Sequence, residues 1–289
     1  MGTRSRSEGL DPGTQYAEIY KNVVEYEFPW DVTQALSFAL FRTYAVPSIG
    51  NLLDRTGEFT ERVQKRHDDT VILLDMAGIH GLDSPKGKAA IRRINQMHRM
   101  YDISNDDMRY VLATFIVMPK RWIDSYGKRP LTGTETEAMV RFYQALGARM
   151  GIKDMPADYA AFEEFLDGYE RDTFGYDDGA RRVADATLRL FATFYPWPLS
   201  LAMGTFSRAI MDQPLLDAFG YDSPGPAVRR AAAAALRLRG RIAGLLPERR
   251  DPKYIYTRRR VRTYPQGFET EKIGTFTPGC PVQHAAASR

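Results

Sequence analysis

His98 stands where a side chain could do chemistry. Ile91, Ile94, His98 and Tyr101 are spaced three, four and three apart, so in a helix they share one stripe, while Arg92, Arg93 and Arg99 point elsewhere. An imidazole on the apolar side of a basic amphipathic helix must find a partner in the core or bind something. Its neutral form offers one lone pair, which suits a haem iron or another metal. The plain alternative is a core histidine satisfied by a hydrogen bond.

A second constellation precedes it. Arg66 and Thr70 are four apart, which stacks a guanidinium and a hydroxyl on one helix face beside the apolar residues Phe59, Val63, Leu73 and Leu74. A buried guanidinium is costly unless paired, so an ion pair with Asp69 or with another helix is the structural alternative. His67 follows Arg66 but points about 100° away on a helix. His80 falls in the turn Ala77-Gly78-Ile79-His80-Gly81 and is a lesser candidate for the pocket wall.

The chain has four histidines (His67, His80, His98, His284) and one cysteine, Cys280. No two histidines share helical spacing, and one cysteine can form neither an intrachain disulfide nor a cysteine cluster. A non-haem metal site would need ligands from distant segments.

Several blocks, in order, resemble the family of the ER-bound oxygenase MpaB and the catalytic domain of rubber oxygenase (latex clearing protein). They are Arg66-His67-Asp68-Asp69-Thr70-Val71-Ile72-Leu73-Leu74 and Arg93-Ile94-Asn95-Gln96-Met97-His98. Asn105 through Ile116 and Leu131 through Ile152 follow, with an echo at Arg262-Thr263-Tyr264-Pro265-Gln266-Gly267-Phe268. The resemblance implies an all-α, single globin-like multi-helix domain around a haem pocket. It implies haem b held by His98 as the proximal iron ligand, with Arg66 and Thr70 at the distal face as the catalytic pair. Arg93 and Arg99 are the nearest candidates for the haem propionates.

Two positions depart from the rubber-oxygenase pattern. The residue before Thr70 is Asp69 where that pattern has lysine, and Asn95 stands where arginine is common. The implied reaction is oxygenation or oxidative cleavage, by dioxygen, of a hydrophobic unsaturated substrate of prenyl- or polyketide-like character. A non-catalytic, globin-like haem-binding or redox protein would use the same histidine. Tyr110 and Thr114 face the core and either shape a substrate cavity or simply pack.

These residues must be positioned by helices, because strand-like alternation is scarce. Helical patterns are expected from Asp31 to Val46, stopped by Pro47, and from Phe59 to Met76, ended near Gly78. The His98 helix follows Pro85 and fades at Asp102. A Ser104/Asp107 cap opens a helix over 106–118 ahead of Pro119, and a Thr132/Glu135 capping box opens one to Met150, with Gly151 behind it. Further helices are expected over 157–173, 180–194, 199–211 and 226–244.

From Leu245 on, the Pro-, Arg- and Tyr-rich chain reads as an extended wrap, and Gln283 to Arg289 as a disordered tail. This divides into an N-terminal extension (1–25), a helical oxygenase domain (26–246) and a C-terminal loop-rich wrap and tail (247–289).

The length of 289 residues, with 44% hydrophobic and 26% charged residues, is ordinary for a globular chain with a sizeable core. A net charge of +4, with both signs interleaved, requires no nucleic-acid partner. The exception is Arg229 through Arg262, rich in arginine. It is either a solvated face or a surface for an anion such as a propionate, an acidic protein or a lipid headgroup. Glycine-rich nucleotide turns, a P-loop and a Gly-x-Ser-x-Gly elbow are absent. No signal peptide and no transmembrane segment is evident, so a cytoplasmic location is expected.

Overall fold

The computed structural model describes residues 5–254 and 261–275, and all regular structure among them is helical. The order is α1 (Tyr16–Lys21, continuing as a π-helical turn Asn22–Glu27), α2 (Pro29–Thr43), α3 (Pro47–Arg55), α4 (Glu58–Glu61), α5 (Val63–His80), α6 (Pro85–His98) and α7 (Asn105–Tyr126). Then come α8 (Gly133–Met150), α9 (Tyr159–Thr173), α10 (Asp178–Ala192), α11 (Trp197–Ala209), α12 (Gln213–Phe219), α13 (Pro226–Leu245) and a short 3-10 turn, Thr270–Lys272.

Local chemistry sets most boundaries. Ser84, Ser104, Asp158, Asp177 and Asp212 each accept from the backbone N–H of the third residue of the helix they open. Thr132 and Glu135 form the full reciprocal box, and Gly151 ends α8 with φ of 79°. At Ser104 only half of the expected box forms. The Asp107 carboxylate accepts instead from Ser48 and Tyr169, which ties α7 to α3 and α9.

Helix α7 is the axis of the molecule. Tyr110, Thr114, Ile116, Val117 and Ile123 on it are essentially solvent-free, and it packs on α2, α8, α9 and α13. It does not stop at Met118 as the sequence suggests: Pro119 lies inside it. An interior proline costs about 3 kcal/mol. Burying Trp122 and Ile123 in the next turn offsets this at about 1.5–3 kcal/mol per large apolar side chain.

A second core joins α2 to α10 and α12 through Phe41, Tyr44, Phe59, Val183, Leu215 and Phe219. Between the two cores, Arg42 makes a bidentate ion pair with the buried Glu170 and reaches Asp212 at 2.7 Å, while Tyr110 donates to Glu170 at 3.0 Å. The N-terminal segment places Ile19, Tyr20, Val23 and Val24 in the main core, and α1 packs on α8.

Candidate active site

The expected helix from Phe59 to Met76 is two helices. Arg62, at φ −133° and ψ 39°, breaks it, so α4 ends at Glu61 and α5 begins at Val63. Gly78 does not end α5. The helix runs through it to His80, and Gly81, at φ of 81°, ends it. His80 is therefore the last helical residue, not part of a loop.

The short turn Gly81–Ser84 folds α6 back along α5, and the two helices pack together. Arg66 is 14 residues before the end of α5, and His98 is 13 residues beyond the start of α6. At about 1.5 Å per residue, the hairpin returns both to the same end.

At that end, His98 is the final residue of α6. Its Nδ1 atom is buried with no hydrogen-bond partner. Burial, reinforced by the positive charge of Arg66, lowers the imidazole to about 4, so the ring is neutral near pH 7 with a lone pair unspent. A buried nitrogen without a partner is uncommon and asks for an explanation. The expected stripe stops here, because Tyr101 lies beyond the helix and is exposed.

Arg66 donates from Nη1 to Thr70 Oγ1 at 2.6 Å, and the Thr70 hydroxyl donates to the Arg66 carbonyl at 2.9 Å. The guanidinium carbon lies 5.5 Å from the Phe59 ring centroid, and its charge reaches the buried Tyr44 hydroxyl. No carboxylate among the described residues pairs with it, so the ion pair with Asp69 does not form. Asp69 instead binds Lys65 at 2.6 Å and accepts from the Tyr264 hydroxyl.

The remaining candidates are dispersed. Arg93 is buried and donates from Nε to the Ile273 carbonyl and from Nη1 to Gln96 at 3.3 Å. Arg99 caps the end of α6 and is exposed. Asn95 donates to the Arg149 carbonyl at 2.9 Å, tying α6 to the end of α8. His67 turns away, toward Asp68 and the Phe194 ring. Tyr110 and Thr114 are satisfied by Glu170 and by the Val111 carbonyl, as packed core residues. Cys280 and His284 lie outside the described residues.

The C-terminal wrap supplies a feature that local patterns did not reveal. Thr263 donates from its amide and its hydroxyl to Asp68, and Tyr264 donates to Asp69, across α5. Ile273 is fully buried under Arg93. Gly274, at φ of 97°, passes so close to Met97 that a Cβ there would sit 2.3 Å from Sδ. The segment thus straps α5 to the last turn of α6, beside His98. Composition points to a wrap from Leu245 on and the echo at residues 262–268 to its importance, but neither gives its partners.

The residues present have the chemistry a haem would use: a half-buried, neutral imidazole whose buried Nδ1 has no partner, and beside it a guanidinium with no carboxylate partner among the described residues. Among the described residues no group of three His, Cys, Asp or Glu side chains could hold a bare metal ion. A surface cleft of about 650 Å³ lies elsewhere, floored by Arg42 and Glu170, and no residue lining it belongs to α5 or α6. No helix among the described residues is long and apolar enough to cross a membrane.

Residues 32–243 match the family model described as ER-bound oxygenase mpaB/B'/Rubber oxygenase, catalytic domain. The chain is 30% identical over 226 residues to ER-bound oxygenase mpaB' of Penicillium brevicompactum, covering 72% of this chain and 53% of that protein. It is 33% identical over 155 residues to ER-bound oxygenase mpaB of Penicillium roqueforti (strain FM164), covering 51% of this chain and 52% of that protein. Against mpaB of Penicillium brevicompactum the identity is 32% over 160 residues, covering 53% and 41%. The chain spans about half the length of the curated relatives it matches. It belongs to the MpaB/rubber oxygenase catalytic-domain family.

Proposed function

We propose that this member of an oxygenase family is a haem-b-dependent oxygenase that uses dioxygen to cleave or oxygenate a hydrophobic unsaturated substrate. A prenyl- or polyketide-like chain is the substrate class we favour. The observation that carries the reading is the buried Nδ1 of His98, partnerless and neutral, with Arg66 beside it. When bound, haem b supplies the dioxygen activation that amino-acid side chains cannot.

His98 is the residue that would hold it. A neutral imidazole needs no deprotonation to bind, and the burial that depresses its proton affinity also keeps water from competing. Arg66 brings a permanent cation with N–H donors left over after Thr70 takes one. A donor fixed in a poorly hydrated site stabilises charge that develops during reaction. Thr70 spends its hydroxyl proton on the Arg66 carbonyl, so its role is to aim the guanidinium. Arg93 and Arg99 are the proposed propionate partners. Of these, Arg99 is exposed, while Arg93 would first have to release Ile273. The cytoplasm is the proposed compartment.

The test is turnover under isotopically labelled dioxygen. Haem-reconstituted protein is given polyprenyl and prenylated aromatic substrates, and label in carbonyl or hydroxyl products supports the reading. Unlabelled products, or turnover that persists without dioxygen, overturn it. Haem binding without turnover on any of these substrates would favour the non-catalytic, globin-like alternative.

A further inference from the structure

Helix α13 is apolar on two sides. Ala232, Leu236 and Gly240, four apart, face inward, and the inner fit is tight: a Cβ on Gly240 would lie 2.3 Å from the Tyr126 carbonyl oxygen. Roughly opposite, Ala227, Ala231, Ala234, Leu238, Ile242 and Leu245 follow at intervals of four, three, four, four and three, and all are exposed. This outer stripe covers nothing among the described residues.

Helix α11 packs on α13, and Arg229 at the head of α13 reaches the Met211 carbonyl just past the end of α11. The first turns of α11 also leave large apolar side chains in water. Trp197 is 75% exposed and Leu201, one turn on along the same side, 70%, with Leu199 exposed on the other side, while Leu245 on α13 reaches 86%. Clustered exposed apolar residues of this size mark an interaction surface.

The charge around the stripe decides what covers it. Helix α13 carries five arginines and no acidic residue, and α11 carries one arginine and no acidic residue. Arg239 and Arg229 turn inward, to Asp31 and to Met211. Arg230, Arg237 and Arg241 line one margin of the stripe, exposed, with no carboxylate partner among the described residues. A second copy packed stripe to stripe would bring arginines against arginines, with no acid to receive them. An acidic headgroup layer over an apolar interior complements the whole pattern. Aliphatic stems and leucines enter the acyl boundary, guanidinium groups meet phosphate, and Trp197 sits at the interface.

The geometry points to the α11–α13 face as a peripheral docking surface for an anionic membrane, with α13 lying in the interfacial plane. Nothing in this assignment depends on haem or on catalysis.

Flotation with vesicles tests it. The full chain should float with phosphatidylcholine vesicles containing phosphatidylserine, less so as salt rises, and not with phosphatidylcholine alone. The fluorescence of Trp197 should shift to the blue on binding, with Trp197→Phe as the control, since Trp122 is buried and Trp30 is packed under Arg239. Converting Arg230, Arg237 and Arg241 together to alanine should weaken binding about a hundredfold, at roughly fivefold per arginine near an anionic surface. Leu238→Glu with Ile242→Glu should abolish it while leaving the thermal melt unchanged, since both side chains already face water. Three results would overturn the proposal: no flotation, equal binding to neutral vesicles, or a dimer in sedimentation that Leu238→Glu dissolves while vesicle binding is absent. The last would make the face a self-association surface.

Discussion

Arg66 on α5 opposes the protonation of His98 on α6, although 32 positions separate them, because the α5–α6 hairpin returns both to one end. Among the described residues the guanidinium has no carboxylate partner, and the imidazole Nδ1 has no hydrogen-bond partner. A structural pair would satisfy one with the other or with a third group. A guanidinium that bonds only the Thr70 hydroxyl, and an imidazole nitrogen that bonds nothing, are what the proposed haem site would use.

If His98 is the ligand, His98→Ala should abolish stable haem loading, read as loss of the Soret band. Far-ultraviolet circular dichroism should be nearly unchanged, because the residue ends its helix and bonds nothing with its ring. A variant that keeps the wild-type Soret band would move the ligand elsewhere, with His80 next to be tested.

The depressed His98 pKa sets a pH window. A free imidazole, at about 6.5, would lose its lone pair to a proton on mild acidification. At about 4, His98 stays neutral, so haem loading should be flat from pH 7.5 to 5 and fall only near pH 4. The sign for stability is the same. A lowered imidazole pKa means that the unfolded chain binds the proton more tightly, so apo stability falls as pH drops from 6.5 through 4. An NMR titration of the His98 ring reads this directly, and a midpoint near 6.5 would sink the argument.

Arg66→Ala should leave haem content near normal and slow turnover on the order of a hundredfold, the usual effect of removing one positioned donor. Thr70→Val should slow it less, because the guanidinium survives but loses its aim, and Thr70→Ser should restore most of the rate. A merely structural Thr70 would lower the melting temperature in valine without rescue of rate by serine. If both Arg66→Ala and Thr70→Val lose haem or unfold, the pair holds the fold and not the chemistry.

How much of this site can be read from the chain depends on range. The i, i+4 stacking of Arg66 and Thr70, the Ser104 and Thr132 caps and the apolar setting of His98 are local, and local patterns show them. Gly78 and Pro119 look like stops and are not. Each costs only about 1–3 kcal/mol in a helix, less than the packing that carries the helix through them. The bonds from Asp68 and Asp69 to Thr263 and Tyr264 span 195 positions, and no local pattern encodes such a pairing. Nor does sequence spacing tell that Asp69 turns to Lys65 and not to Arg66, since both lie at helical distance.

Glu25 offers a final test, remote from the hairpin's open end. It is 3% exposed in the π-helical turn, and burial, with Asp75 adding like charge against the pull of Lys21, pushes its carboxyl up to about 7. A raised carboxyl pKa means that the folded chain holds a proton the unfolded chain has released. Stability is therefore full below about pH 4.5 as far as this group is concerned, and it is lost as pH rises toward and through 7. The shift corresponds to at most about 3 kcal/mol, at 1.36 kcal/mol per unit. Glu25→Gln keeps the shape and cannot ionise. Its melting temperature should match the wild type near pH 4.5 and exceed it by several degrees at pH 8, since 1 kcal/mol moves a domain of this size by about 2 °C or more. Parallel melting curves for the two proteins from pH 5 to 8 would show that Glu25 ionises normally and that its burial is relieved in solution.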